Sequence, residues 1–184
     1  MVFGIPVTDR RDPGAAIPWA SHSWRRRSTP PARIQAEMKS VRAFWSETEL
    51  AVWPEAYVLV SLPPACLRPA LALLAEADGC FAQLILERRE LCCVLPQKLW
   101  RHAALQSKVL AEDGPYAVIT LEAELDPDLV GFLAPAAGRL AAAGVPIVPQ
   151  GGFRTDHIMV PERQVDQAVQ VLREWIQVCR QAPS

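Results

Sequence analysis

Asp156 and His157 are the residues of this 184-residue chain whose types most readily suggest proton chemistry, and they stand side by side in Gly144–Pro161, GVPIVPQGGFRTDHIMVP. Neighbouring residues on a strand leave opposite faces of the sheet. A direct His–carboxylate dyad needs the partners about 3 Å apart, which this spacing does not easily provide. The arrangement instead sends one residue toward a site and the other toward the sheet or a partner. Cys92 and Cys93 are the candidate nucleophiles, and a thiol in that role needs a base and a depressed pKa. His102, the nearest histidine in sequence, lies in a weak helical pattern, and cysteines buried as small apolar groups are the plainer reading. Gly151-Gly152 matches no phosphate-binding glycine pattern and reads as a hairpin turn.

One constellation remains with binding rather than catalytic character. A helix predicted over Asp128–Ala143 would present free N–H groups and a positive dipole end to an anion, a need that Asp126 and Asp128 partly fill as caps. Asp156 could pair with an ammonium or guanidinium. An anion seat beside an acidic partner suits an amino acid, which carries both charges. None of the five cysteines forms a CxxC or a Cys/His pair at metal-ligand spacing, so neither a metal nor another cofactor is expected.

The elements that must position these residues follow from periodicity. Tyr57–Leu62 (YVLVSL) reads as a strand, Cys66–Ala77 as a helix closed by Gly79, Cys80–Leu86 and Glu90–Leu95 as a hairpin, and Gln97–His102 as a short helix after Pro96. The order then begins again. Tyr116–Leu121 (YAVITL) is a strand, Asp128–Ala143 a helix closed by Gly144, and Pro146–Pro149 with Asp156–Val160 a second hairpin. After Pro161 comes a helix in which Val165, Ala168, Val169, Leu172, Trp175 and Ile176 follow helical spacing.

This is an internal repeat. Gly79 and Gly144 stand 65 residues apart, as do Pro96 and Pro161, whereas the strands starting at Tyr57 and Tyr116 are offset by 59. The second copy therefore carries six extra residues around Glu122–Gly131. A loop lengthened on a rigid scaffold is a candidate for function, with neutral drift the competing reading. Each copy reads β-α-β-β-α, most of a ferredoxin-like unit. The expected fold class is thus α+β, with two such units of antiparallel sheet and helices on one face. Ala104–Leu110 is the candidate last strand of the first copy. The second copy ends in its helix, so its sheet is either short or completed by another segment. The expected domains are 52–112 and 113–177, preceded by an extension over 1–37 that is rich in Pro, Arg and Ser and expected to be disordered. Met38 is an alternative start, since everything patterned follows it.

The net charge is −1, divided as +4 over residues 1–33 and −5 over the rest. A mildly acidic body argues against a nucleic-acid surface, and Arg25–Arg27 reads as part of a solvated tail. No apolar run reaches the roughly 18 residues of a membrane span. An odd number of cysteines without a disulfide framework points to reduced thiols and a cytoplasmic setting.

The βαββα repeat, the run Leu125-Asp126-Pro127-Asp128-Leu129-Val130-Gly131 and the run Thr155-Asp156-His157-Ile158-Met159-Val160-Pro161-Glu162 together resemble ACT-domain proteins. The likeness is to the tandem branch that includes the CASTOR-type arginine sensors and aspartate kinase regulatory domains. It spans roughly Val52 to Ile176 and is more specific in its second half. The resemblance implies a non-catalytic regulatory protein with an amino acid held at an ACT-domain interface, working as a homodimer or with a regulated partner protein. By motif, Leu125, Asp126, Gly131, Phe132 and Leu133 would line one side of the site, and Gly152, Phe153, Arg154, Thr155 and Asp156 the other. Two residues depart from the pattern. Arg154 disfavours a cationic ligand, so arginine is not the expected one. Pro135 removes a helical hydrogen bond toward Gly131, which predicts a kink or a late helix start. The alternative to an amino-acid sensor is a homodimerising interaction module without a ligand.

Overall fold

The computed structural model describes residues 41–125 and 129–181. A short helix α1 (41–47) leads into β1 (Glu49–Val52). Then come β2 (Tyr57–Leu62), α2 (Leu67–Ala75), β3 (Gln83–Leu86), β4 (Leu91–Pro96) and α3 (Gln97–Trp100). The chain continues through β5 (Ala111–Glu122), α4 (Leu133–Ala142), β6 (Val148–Gly151), β7 (Asp156–Pro161) and α5 (Val165–Gln181). All seven strands lie in one sheet of order β3-β4-β2-β5-β7-β6, with β1 also on β5, and every pairing is antiparallel.

The α+β class and the antiparallel pattern are as the periodicity predicts, but the two copies share one sheet. The reason is β5. Its first part, Ala111–Asp113, pairs with β2, and its second part, Tyr116–Leu121, pairs with β7. One strand thus closes the first copy and opens the second, running without a break through the expected 112/113 boundary. Ala104–Leu110 does not supply the first copy's last strand. Ala104–Lys108 is a 3-10 helix, and the strand begins at Ala111.

The strand missing from the end of the second copy comes from upstream. β1 pairs with Ile119–Glu122 of β5, end to end with β2 along the same side, and the Trp53 N–H continues the ladder to the Val118 carbonyl at 3.0 Å. Helix α1 accompanies it. Val41 and Trp45, four residues apart and hence on one face, join the core formed by Ile119, Leu121, Ile158 and Val160 of the sheet, Ala136 and Leu140 of α4, and the apolar stripe of α5. The Trp45 indole is fully buried, stacks on Phe132 with centroids 4.8 Å apart, and donates to the Phe132 carbonyl at 2.8 Å. Thr48 closes α1 by hydrogen-bonding back to the Phe44 carbonyl through its backbone N–H and its hydroxyl.

The strand periodicity of two separates the faces. Val58, Val60, Leu62, Leu91, Cys93 and Leu95 meet α2 and Trp100 on the helix face of the first copy. On the opposite face, Tyr57, Val94, Val118 and Met159 form a smaller core against Trp53 and Phe81. Cys92 and Cys93 therefore part company, and only Cys93 enters the helix-side core.

Helix α4 begins at Leu133 rather than Asp128. Pro135 is its third residue, where the missing N–H costs nothing because first-turn N–H groups have no intrahelical partner. The predicted caps Asp126 and Asp128 lie outside the described residues, as do 1–37 and Met38. Strand β3 starts at Gln83 and β6 at Val148, each two or three residues later than predicted, and α2 is preceded by a 3-10 turn over Pro64–Cys66.

Candidate functional site

Ten residues, 123–132, separate β5 from α4, whereas four, 63–66, separate β2 from α2. The connection at the carboxyl end of β5 is therefore six residues longer than its counterpart, the excess predicted from the repeat. The loop is tied to the turn between β6 and β7 by one backbone bond, from Leu125 N–H to the Arg154 carbonyl at 2.9 Å. Between loop and turn lies an open cleft of about 290 Å³, lined by Leu125, Leu129, Phe132, Gly152, Phe153, Arg154 and Asp156.

Of the predicted site residues, the structure brings Leu125, Phe132, Gly152, Phe153, Arg154 and Asp156 around this cleft. Leu129 joins them without having been singled out. Gly131, Leu133 and Thr155 are not among the lining residues. Gly131 takes the left-handed φ of +83° that turns the loop into α4, and Leu133 packs against the helix-side core. The Thr155 side chain shares the opposite sheet face with His157. Asp126 lies outside the described residues.

The register of the repeat shows what is unusual about Asp156. In the first copy Leu62 pairs with Leu91, and in the second Leu121 pairs with Asp156. Asp156 thus stands where its counterpart Leu91 is fully buried in the helix-side core. An aspartate at a core-leucine position opens space and supplies charge at the same point. Burial pushes its carboxyl above the usual aspartate range, partly offset by the adjacent His157. A cation in the cleft would remove part of that desolvation cost.

His157 leaves the other face, as the strand geometry requires. Its Nδ1 lies 2.9 Å from the Thr120 hydroxyl, which in turn accepts from the Trp53 indole at 2.8 Å. The threonine proton is then free to go to Nδ1, assigning the ring proton to Nε2, which points to Thr155 Oγ1 at 3.5 Å. The Phe81 ring packs on the imidazole with centroids 4.7 Å apart. Burial lowers the imidazole pKa, consistent with a neutral ring held by neutral partners. Asp156 and His157 are therefore not a working dyad. Among the described residues no hydrogen bond joins His102 or His157 to Cys92 or Cys93. Burial raises both thiols, Cys93 to about 11, so neither has thiolate character at neutral pH.

The turn itself is tightly built. Gly152 N–H donates to the Thr155 carbonyl at 2.9 Å, closing the loop over Phe153-Arg154. A Cβ at Gly152 would come within 2.8 Å of that same carbonyl oxygen, so the close approach requires glycine. Phe153 is 84% exposed beside the cleft. Arg154 reaches Glu124 of the facing loop at 3.3 Å, both side chains largely in solvent, where such a pair contributes little stability. The Phe132 wall is backed by Trp45, whose helix was not read from the sequence. Its signal was only the Val41/Trp45 spacing in a single short turn. Among the described residues no group of His, Cys, Asp or Glu could hold a metal ion.

The ACT-domain family model matches residues 112–174, the segment that carries both walls of the cleft. This segment is an ACT domain. Comparison of the chain with curated proteins gives no significant match. Among solved structures, a Vibrio cholerae protein of unknown function, described as a possible transport protein, aligns with a TM-score of 0.62 at 24% identity, over 77% of this chain and 99% of its own. A protein from Agrobacterium tumefaciens aligns at 0.57 and 19% identity, over 70% and 88%. The regulatory subunit of aspartate kinase from Thermus thermophilus, in a ligand-free form, aligns at 0.52 and 12% identity, over 70% and 97%. At these identities the likeness is one of fold, and it extends over both copies of the repeat around the ACT domain.

Proposed function

We propose that this is a non-catalytic regulatory protein that binds a small molecule of the amino-acid class in the cleft between the 123–132 loop and the Gly152–Asp156 turn. Asp156 carries the reading. It is a half-buried carboxylate at the position where the first copy places core Leu91, beside a loop lengthened in this copy alone. On this reading the chain comprises two ACT-like units, 52–112 and 113–177, the second completed by residues 41–52. Ligand binding would bias a conformational equilibrium that a partner protein reads. The five cysteines are free thiols, which suits the reducing cytoplasm, and no helix of the described residues is long and apolar enough to cross a membrane.

The test is a thermal-shift screen against the twenty amino acids, since a ligand that binds only the native state raises its melting temperature. Specific stabilisation that disappears in a folded Asp156→Asn variant supports the reading. No shift at millimolar concentration with any amino acid refutes it. A second reading, a homodimerising module without ligand, is favoured by edge strand β3, where Ile85 and Leu86 are 42% and 51% exposed and the backbone is unpaired on one side. That reading predicts a concentration-dependent dimer broken by Ile85→Lys, with no amino-acid response.

A further inference from the structure

A second polar cluster lies on the helix layer of the ACT domain, made of residues that do not line the cleft. Trp175 of α5 is its centre. The residue is 6% exposed, and its indole N–H is shielded from solvent with no acceptor among the described residues. An indole nitrogen only donates, and a buried donor left unpaired is uncommon enough to call for a reason. Two guanidiniums from two other helices sit on the same ring. The Arg139 Cζ of α4 lies 4.2 Å from its centroid, and the Arg42 Cζ of α1 lies 5.7 Å from it. Their charges also reach Cys179, one turn along α5, where they partly offset the upward push of burial on the thiol. A third cation, Arg180, donates through Nε to the Ser46 carbonyl at 2.8 Å, one turn of α1 from Arg42. All three arginines are exposed residues, so the cluster is open to solvent.

A cation over an aromatic face is favourable, and this accounts for each guanidinium singly. It does not account for two like charges drawn from separate helices onto one ring, nor for the unpaired N–H. An anion accounts for both. The N–H leaves in the plane of the ring, whereas the guanidiniums stand off that plane. A single spherical ion does not meet both directions. A tetrahedral oxyanion presents oxygens in several, and the guanidinium fork matches them in pairs. We propose that Arg42, Arg139 and the Trp175 indole N–H form a site for a phosphate group, with Arg180 adding charge beside it. An exposed arginine side chain changes rotamer readily, which lets a phosphate oxygen reach the N–H. The phosphate then ties α1 to α4 and α5. This site is independent of the amino-acid reading of the cleft.

The experiment is a ¹⁵N–¹H NMR titration of the full chain, read at the Trp175 indole resonance. The probes are sodium phosphate, glycerol 3-phosphate, and sodium chloride at matched ionic strength. The resonance should move downfield and saturate with the phosphates and stay in place with chloride. Arg139→Gln and Arg42→Gln should each weaken phosphate binding about ten-fold or more, the loss expected for a charge-assisted hydrogen-bonding partner. Trp175→Phe, which keeps the aromatic face but removes the donor, should weaken it several-fold. The arginine variants alter exposed residues, so they carry the test if Trp175→Phe fails to fold. Tighter binding of glycerol 3-phosphate supports the site as one for a phosphorylated small molecule, and tighter binding of inorganic phosphate supports it as one for the free ion. No movement with either phosphate, an equal response to chloride, or unchanged affinity in both arginine variants would overturn the proposal.

Discussion

Replacing Asp156 by leucine should make the fold more stable and abolish ligand binding. The first copy is the template, because its Leu91 occupies the same register position opposite Leu62, with no exposed surface. Asp156 faces Leu121 across the same pairing, with Leu125, Leu129 and Phe132 within the cleft beside it. Full burial of a leucine side chain contributes about 1.5–3 kcal/mol. Since the cleft is open, about 1–2 kcal/mol is the reasonable share for Asp156→Leu, before counting relief from holding a desolvated carboxylate. For a domain of this size that corresponds to roughly 3–6 °C in Tm. Chemical denaturation with an unchanged m-value, together with calorimetry, measures the gain. A loss of more than about 1 kcal/mol would refute the reasoning, because it would mean that the carboxylate makes a structural bond essential to the turn rather than an unmet charge waiting for a ligand.

Three further outcomes follow from the same geometry. Gly152→Ala should cost about 1–3 kcal/mol through its clash with the Thr155 carbonyl, whereas Gly151→Ala, with nothing within 4 Å, should be near neutral in the same denaturation assay. Trp45→Ala should cost about 3–5 kcal/mol and loosen the Phe132 wall, read as faster amide exchange across the first turn of α4. His157 has a folded-state pKa below its unfolded value of about 6.5. The unfolded chain therefore takes up the proton first. Stability should be full above pH about 6.5 and decline as the pH falls below it, and His157→Gln should flatten that decline in pH-dependent melting curves.

The second half of the fold was the more legible in the sequence, and the reasons are physical. Helix α5 buries Ala168, Val169, Leu172, Trp175, Ile176 and Cys179 at helical spacing over 17 residues, a stripe long enough to identify itself. The loop excess was visible because an internal repeat supplies its own reference length. The division of Asp156 and His157 to opposite faces followed from strand geometry alone. β1 was invisible for the opposite reasons. It is four residues long, lacks a clean alternation, and pairs with β5 from upstream of an entire intervening unit, which local periodicity does not encode. The start of α4 was misplaced because Leu129 and Val130 continue its apolar character, and only the proline two residues into the true helix marks the later start. Leu129 escapes a sequence reading because its apolar character fits the predicted helix as well as the cleft. The motif puts Thr155 on the cleft, whereas its strand parity matches His157 and not Asp156.

The most direct test is a ¹⁵N–¹H NMR titration of the full chain with pooled, then individual, amino acids. The account predicts saturable shift changes concentrated in residues 123–133 and Gly152–Asp156, absent in Asp156→Asn. No perturbation at millimolar ligand would contradict it. So would perturbations centred instead on the groove that Leu73, Leu99, His102 and Leu105 line beside α2 in the first copy.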